Sequence, residues 1–398
     1  MPSIVRSGVE SLFKNGEISY ICCTSTLLQG VNLPAKHIII ENPKSGDEPM
    51  TRSDFQNLSG RAGRLLEEFH GNIWCIRPST WDEESYDGDK LQEISSAISS
   101  VMLDGGSLIQ NLLENGVNEG KNIDTAEMAF SKLYQDHHYS DRKDPLEIYR
   151  TEANSQQLDN TISLISKIQV TLPVDVIEKN KAIRPDHLQA VYNFLSNQES
   201  LEKYIPLSPF KKGAKKIMED IIEVFIDCFE WDLSRPYKNL ISFLAHDWIW
   251  GKSLGKILGK RISFIRKDSP DESVTPIIRN YLKLLDQDVR FKLVKYFSAY
   301  NDILKYVLDE REDFGDEYDL EPYHIYLEFG SCNRHALNIM ATGLSRFTAL
   351  YLSKVIEKEN IQPDIDDYYN KIKSINLDSV KIPKLCKQEV LRMLGRAG

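Results

Sequence analysis

The apolar residues of this chain change their period near residue 80, and that change limits what the chain can fold into. Before it, strand and helix signals alternate. Ile4, Val9, Leu12 and Phe13 have helical spacing, and "ISYICCT" and "HIII" are short apolar strand candidates. "RSDFQNLSGRAGRL" reads as a helix that Ser53 or Asp54 would cap, and "GNIWCI" is a third strand. Strands alternating with helices predict a parallel α/β sheet. After the acidic loop "WDEESYDGD" the apolar residues recur at three and four, as in "LQEISSAISSVML", "KKIMEDIIEVFIDCF" and "VRFKLVKYFSAYNDILKYVL". That period predicts helices. The exceptions are "KIQVTLPVDVI", a candidate short strand, and the linker "DEREDFGDEYDLEP". The expected class is therefore α/β plus all-α, without internal repeats.

At 398 residues the chain has room for two or three domains, and 41% hydrophobic residues supply their cores. The net charge of -10 argues against general nucleic-acid affinity, so any such contact needs a local basic patch. Cys22, Cys23, Cys75, Cys228, Cys332 and Cys386 have no metal-ligand spacing and read as reduced thiols of an intracellular protein. His137 and His138 have no ligand partners in the sequence, so no metal is expected. The opening "MPSIVRSGVESLF" lacks an apolar signal core. No apolar run approaches the roughly 20 residues that span a bilayer, so the expected location is cytoplasmic, away from membranes.

Two stretches carry the chemistry. In "TSTLLQGVNLPA", Thr24 to Ala35, a strand runs into hydroxyls, a glycine, an asparagine and a proline. Ligands of open parallel sheets bind at strand carboxyl ends, where hydroxyls and free N–H groups suit phosphate oxygens. The plain alternative is a capped turn between two strands. About twenty residues later "QNLSGRAGR" sets Arg61 and Arg64 three apart, neighbouring positions on a helix. Gly60 and Gly63 cost a helix about 1 kcal/mol each relative to Ala, which implies that something comes close to the backbone. Arginine makes forked contacts to phosphoryl oxygens. The plain alternative here is a solvated basic helix end.

Together, "TSTLLQGVNLPA" and "DFQNLSGRAGR" closely resemble motifs V and VI of superfamily 2 DExH helicases, in particular the superkiller-like group and its bacterial relatives. "MPSIVRSGVESLFKNGEI" is similar to the helix that precedes motif V there. The resemblance implies a partial second RecA-like domain over residues 1–80, a parallel sheet without its first strands and so with an exposed edge. It implies a mostly helical, winged-helix-like region over 81–200 and a helical bundle with a strand-contacting region over 201–398. Arg61 and Arg64 would contact the ATP phosphates, one of them as arginine finger. Gly30, Asn32, Gln56, Asn57 and Gly60 would line the nucleotide site. Thr24, Ser25, Thr26 and Val31 would link it to the nucleic-acid backbone. Asn57 stands where many members have Gln or His, and Gln56 is the substitute.

The family also needs a Walker A loop and a DExH box, and neither is in this sequence. "HDWIWGKS" ends in Gly251, Lys252 and Ser253 but has His246 where a phosphate loop needs glycine. "YVLDERED" follows helical spacing and reads as a helix end, not an acidic strand. ATP and Mg²⁺ are therefore expected to be held mainly by a first RecA-like domain outside this chain. The expected partners are that helicase half, single-stranded DNA or RNA and, by analogy with anti-phage systems, a nuclease. The competing class is a nucleic-acid-binding or protein-interaction module that has lost its motor.

Beyond the motifs, "GKSLGKILGKRISFIRK" places Lys252, Lys256 and Lys260 at spacing four, a helical stripe able to track a phosphate backbone. The plain alternative is a solvated face. "KKGAKK" is a second basic cluster. Trp231, Trp248 and Trp250 are candidates for base stacking or for the core. "GLSRFTALYL", with Leu344, Phe347 and Tyr351 in register, predicts a buried closing helix.

Overall fold

The structure, a computed structural model, describes residues 3–23, 35–45, 48–63, 70–87, 96–115, 123–311, 320–356 and 364–395. It divides into two compact units, one of Met1–Ile94 with Lys381–Gly398 and one of Ser95–Val380.

In the first unit α1, Ser3–Lys14, packs against the helix Lys384–Met393, where Gly8 leaves room for Leu385. The β-branched run of "HIII" forms β1, His37–Glu41. A two-residue hairpin, β2 (Lys44–Ser45) and β3 (Glu48–Pro49), leads to α2, Arg52–Ser59, and then to β4, Asn72–Ile76. β1 and β4 pair in parallel, from His37 opposite Asn72 to Glu41 opposite Ile76. Parallel neighbours need a crossover, and the segment containing α2 supplies it. The cap of α2 is Thr51, whose Oγ1 accepts from the Asp54 N–H at 3.2 Å, instead of the expected Ser53 or Asp54.

One face of this sheet is packed. Ile40 is buried with Met50, Phe55 and Trp81. Trp81 opens the acidic loop, yet its indole N–H donates to the Ile76 carbonyl at 2.9 Å and its ring meets Phe55 and Tyr86. The other face exposes Ile39 (70%) and Trp74 (55%). The first expected strand, "ISYICCT", differs: residues 18–23 form no strand, and Tyr20 is 90% exposed. Without a ladder partner an apolar run gains nothing from extended pairing.

The second unit is helical. Its first lobe is α3 (Ala97–Val101), α4 (Ser107–Asn115), α5 (Ile123–Tyr139) and α6 (Ser155–Lys167), closed on Ile109, Phe130, Leu133 and Leu158. Of "KIQVTLPVDVI", residues 168–173 are irregular backbone and the rest falls in α6 and in α7, Val174–Lys179. No strand forms there. The N–H groups of Thr171 and Leu172 bond the Gln189 side-chain oxygen at 2.7 and 3.3 Å, and Pro173 has no N–H to offer a ladder. Among the described residues of 81–200 there is no strand.

The main core surrounds a long central helix. Around it stand α8 (Pro185–Ser196), α9 (Ala214–Cys228), α10 (Arg235–Ile249), α11 (Leu254–Asp268) and α12 (Val274–Leu284). A π-helical segment, Leu285–Lys292, feeds the central α13, Leu293–Arg311, and α14, Tyr323–Phe329, packs back on it. Phe297, Tyr300, Ile303, Leu304 and Val307 of α13 are fully buried, and the Phe225 ring meets Phe297 edge-on at 5.0 Å. The last helices are α15 (Arg334–Ala341), α16 (Arg346–Ile356) and α17 (Ile365–Ser374). α16 buries Ala349, Leu352 and Ile356, while Phe347 and Tyr351 stand partly exposed, so the expected register is rotated toward solvent. No helix among the described residues is long and apolar enough to cross a membrane.

Candidate functional sites

The arginine stretch does not continue α2. After Ser59 the N–H of Gly60 bonds the Gln56 carbonyl at 2.8 Å, and Arg61 and Ala62 close a turn onto Leu58 and Ser59. Ala62 then bridges Ala35 in the parallel sense, and the Gly63 N–H donates to the Ala35 carbonyl at 3.0 Å. Ala35 ends "TSTLLQGVNLPA", so the two motif stretches touch through their backbones. Gly63 has φ +69, and a Cβ there would stand 2.2 Å from the Gly71 nitrogen. A Cβ on Gly71 would meet the Ala62 carbonyl carbon at 2.2 Å. Glycine is thus required where these backbones cross.

Arg61 lies half-buried beyond the helix end, which corrects the expectation that a helix carries both arginines. Arg64 lies outside the described residues, as do Thr24, Ser25, Thr26, Gly30, Val31 and Asn32. Gln56 is half-buried, and Asn57 and Gly60 are exposed.

The lysine stripe is also interrupted. α10 stops at Ile249, Gly251 takes φ +68, and Ser253 caps α11 through the Lys256 N–H. Lys252 therefore sits on the turn, and only Lys256 and Lys260 ride the helix. Lys252 and Lys260 both donate to Asp247, the latter at 2.9 Å, and the Asp247 side chain is 2% exposed. Burial alone would raise the Asp247 pKa, but the two lysine hydrogen bonds outweigh it and hold the carboxyl below its ordinary value. Lys256 is exposed and makes no ion pair among the described residues.

Aromatic rings surround these lysines. Lys260 and Lys215 place their ammonium groups 5.2 and 5.4 Å from the Phe243 ring centre. Trp250 meets Phe210 edge-on at 5.3 Å and His246 at 5.9 Å. Burial lowers the His246 pKa, and Lys252, Lys215 and Lys260 lower it further against the pull of Asp247. Of the three tryptophans, Trp231 and Trp248 are core residues and Trp250 is 42% exposed. Trp248 donates to the Leu327 carbonyl at 2.8 Å and lies 3.7 Å under the Arg346 guanidinium. Arg346 also donates to the carbonyls of Gly330, Trp248 and Lys252, which ties α16 to the lysine turn. Burial, with Arg290 nearby, pulls its pKa down to about 9, so it stays cationic at neutral pH.

The roles of Asp247, Phe243 and Arg346 are passed over at the level of sequence. For the first two the signal was available: Phe243, Asp247 and Trp250 recur at helical intervals just before the lysines.

No family model matches the chain. It is 21% identical to anti-bacteriophage protein B of Escherichia coli K12 over 339 residues, covering 83% of this chain and 40% of that protein. The chain is similar to helicases. It is 48% identical over 59 residues to helicase POLQ-like of Drosophila melanogaster, 15% of this chain and 6% of that protein. It is 43% identical over 65 residues to ATP-dependent DNA helicase homolog MER3 of Arabidopsis thaliana, again 15% and 6%. The chain spans 40% or less of the length of these relatives. The similarity, at low identity, supports a helicase-derived protein.

Proposed function

We propose that the chain is the C-terminal portion of an ATP-dependent helicase of the superkiller-like group, which couples ATP hydrolysis to movement on a nucleic-acid strand when joined to a first RecA-like domain. The observation that carries this reading is the backbone contact of Ala35 with Ala62 and Gly63, which joins the two motif stretches. In this reading β1 and β4 belong to a second RecA-like domain, residues 81–200 include a winged-helix-like region, and Arg61 and Arg64 face the ATP phosphates. The donor set fits a phosphoryl group: the Arg61 guanidinium stands on a turn whose backbone is bridged to Ala35 and crossed closely by Gly71. ATP with Mg²⁺ supplies the transferable phosphoryl group, and the first domain holds both. Arg61 and Arg64 then neutralise charge on the phosphoryl oxygens. Gly30, Asn32, Gln56, Asn57 and Gly60 complete the nucleotide side, and Thr24, Ser25, Thr26 and Val31 face the strand. The protein works in the cytoplasm on single-stranded DNA or RNA, with a defence nuclease as partner.

Phosphate release measured with single strands present tests this. The chain alone is expected to turn over no ATP, since arginines cannot position a nucleotide by themselves. Activity should appear when a first RecA-like domain is supplied. Silence in the joined protein would favour a module without a motor.

The lysines give a second test. Removing Lys252 or Lys260 also strips partners from the buried Asp247, so such variants mix binding with stability. Lys256→Ala avoids this, because Lys256 is exposed and alanine favours helices. Strand affinity should fall, with the salt slope smaller by roughly 0.7 for one lost phosphate contact. An unchanged slope by fluorescence anisotropy would make Lys256 a solvated side chain.

A further inference from the structure

Three exposed aromatic residues of the second unit, Phe210, Phe243 and Trp250, lie beside lysines of α9 and α11. Over the second half of α10 and its C-cap, from Ile241 to Trp250, Phe243, His246 and Trp250 are the accessible positions, while Leu244, Ala245, Asp247, Trp248 and Ile249 between them are buried. Phe243 is 39% and Trp250 42% exposed, and Phe210 extends the face beside Trp250 at 64%. α9 contributes Lys215 and α11 contributes Lys260, both resting over the Phe243 ring. Asp247 beneath them is buried, and Glu219, 3.5 Å from Lys215, is the other acid paired with these lysines. In a chain of net charge -10, this face combines accessible rings with four lysines, Lys215, Lys252, Lys256 and Lys260, against two paired acids, Asp247 and Glu219.

We propose that Phe243 and Trp250 stack on unpaired bases of a single nucleic-acid strand while Lys215, Lys256 and Lys260 hold its phosphates. This rests on the helicase reading and adds to it a base-contacting surface with named platforms. A lysine over a ring can swing to a phosphate on its flexible stem, and a base then takes the ring face it leaves. Stacking on a ring reads no sequence, because every base has a π-face. It does distinguish strands, because a duplex hides its base faces in its own stack. Phe243 and Trp250 stand two turns apart, about 11 Å along the helix, so they engage different bases. Charge complementarity selects a polyanion over a lipid or an apolar peptide, and the rings select one with bases over an acidic protein.

Fluorescence anisotropy of the full chain decides this with three probes: an oligothymidylate, the same backbone without bases, and a duplex. Phe243→Ala should weaken oligothymidylate binding by roughly 5- to 150-fold, since a stacked base is worth about 1–3 kcal/mol. The salt slope should not change, because stacking releases no counterions. Phe243→Trp should retain affinity and Phe243→Leu should not. Binding of the abasic backbone should be the same in wild type and variant. An equal loss on the abasic backbone, or no loss on oligothymidylate, overturns the proposal. Should Phe243→Ala fail to fold, Trp250 fluorescence provides the second measurement. Oligothymidylate should quench it, the abasic backbone should not, and Trp250→Phe should remove the quench; quenching that survives in Trp250→Phe also overturns it. A wild-type chain that binds the strand while Phe243→Ala changes nothing sinks this inference alone. A wild-type chain that binds no strand sinks the helicase reading with it.

Discussion

Arg64→Ala, introduced into the chain joined to a first RecA-like domain, is expected to cut ATP turnover by roughly 10³–10⁵, the range of arginine fingers that act on a transferring phosphoryl group. Arg61→Ala should also fall steeply, because the proposed site has both guanidinium groups share the charge of one phosphoryl centre. Arg64→Lys should not rescue, since an ammonium cannot reproduce the planar fork. Strand affinity should survive each change, because the lysines and rings proposed to bind the strand belong to the other compact unit. Steady-state phosphate release beside anisotropy separates the two effects. Near-normal turnover in Arg64→Ala would remove the arginine assignment, and a parallel loss of strand binding would mean that the substitution damaged the fold.

Local patterns in the sequence predicted local structure well and long-range structure less well. The isoleucine run of "HIII" and the "NIWCI" strand pair as alternating α/β signals require. The helix between them is where its apolar spacing put it, but its cap is Thr51, because the sequence offered several oxygen-bearing residues and only geometry decides which one meets an N–H. The end of that helix was misplaced for a tertiary reason. Gly63 turns left-handed to cross Gly71; the glycine marked a close approach to the backbone, but nothing in "GRAGR" marks Gly71 as the partner or the helix end before it. Counting by fours found Lys252, Lys256 and Lys260 but not the turn at Gly251, nor the buried carboxylate that pairs with two of them. Spacing left Trp248 open to a base or to the core; the core claims it, with Arg346, 98 residues later, lying against its ring. Extended residues such as Thr171 met a glutamine side chain instead of a strand, a choice that period-two patterns cannot express.

The glycine crossing leads to the second large effect. Gly63→Ala should destabilise the first unit by about 2–5 kcal/mol. A left-handed backbone costs a residue with a Cβ roughly 1–2 kcal/mol, and forcing an atom into packed structure typically costs about 1–3 kcal/mol. Here the new Cβ would stand 2.2 Å from the Gly71 nitrogen and 2.5 Å from the His70 carbonyl carbon, so backbone must move on one side or the other. Movement would pull Gly63 from Ala35 and so separate the two motif stretches. Among the described residues, the sheet core that would resist is Ile40, Met50, Phe55 and Trp81. Gly60→Ala is the matched control. Gly60 has φ -64, and a Cβ there would lie 3.3 Å from the Gln56 carbonyl oxygen, close enough to shift it slightly but not to break the turn. Its effect should stay below about 1 kcal/mol, near the propensity difference between the two residues. Hydrogen exchange over residues 35–76, with near-ultraviolet dichroism of buried Trp81, compares the two variants. Gly63→Ala should expose the Ala35–Ala62 crossing to exchange and flatten the Trp81 signal, whereas Gly60→Ala should leave both in place. Equal protection in the two variants would mean that the crossing has room for a side chain, and the joined motif stretches would then lose the physical reason for their glycines.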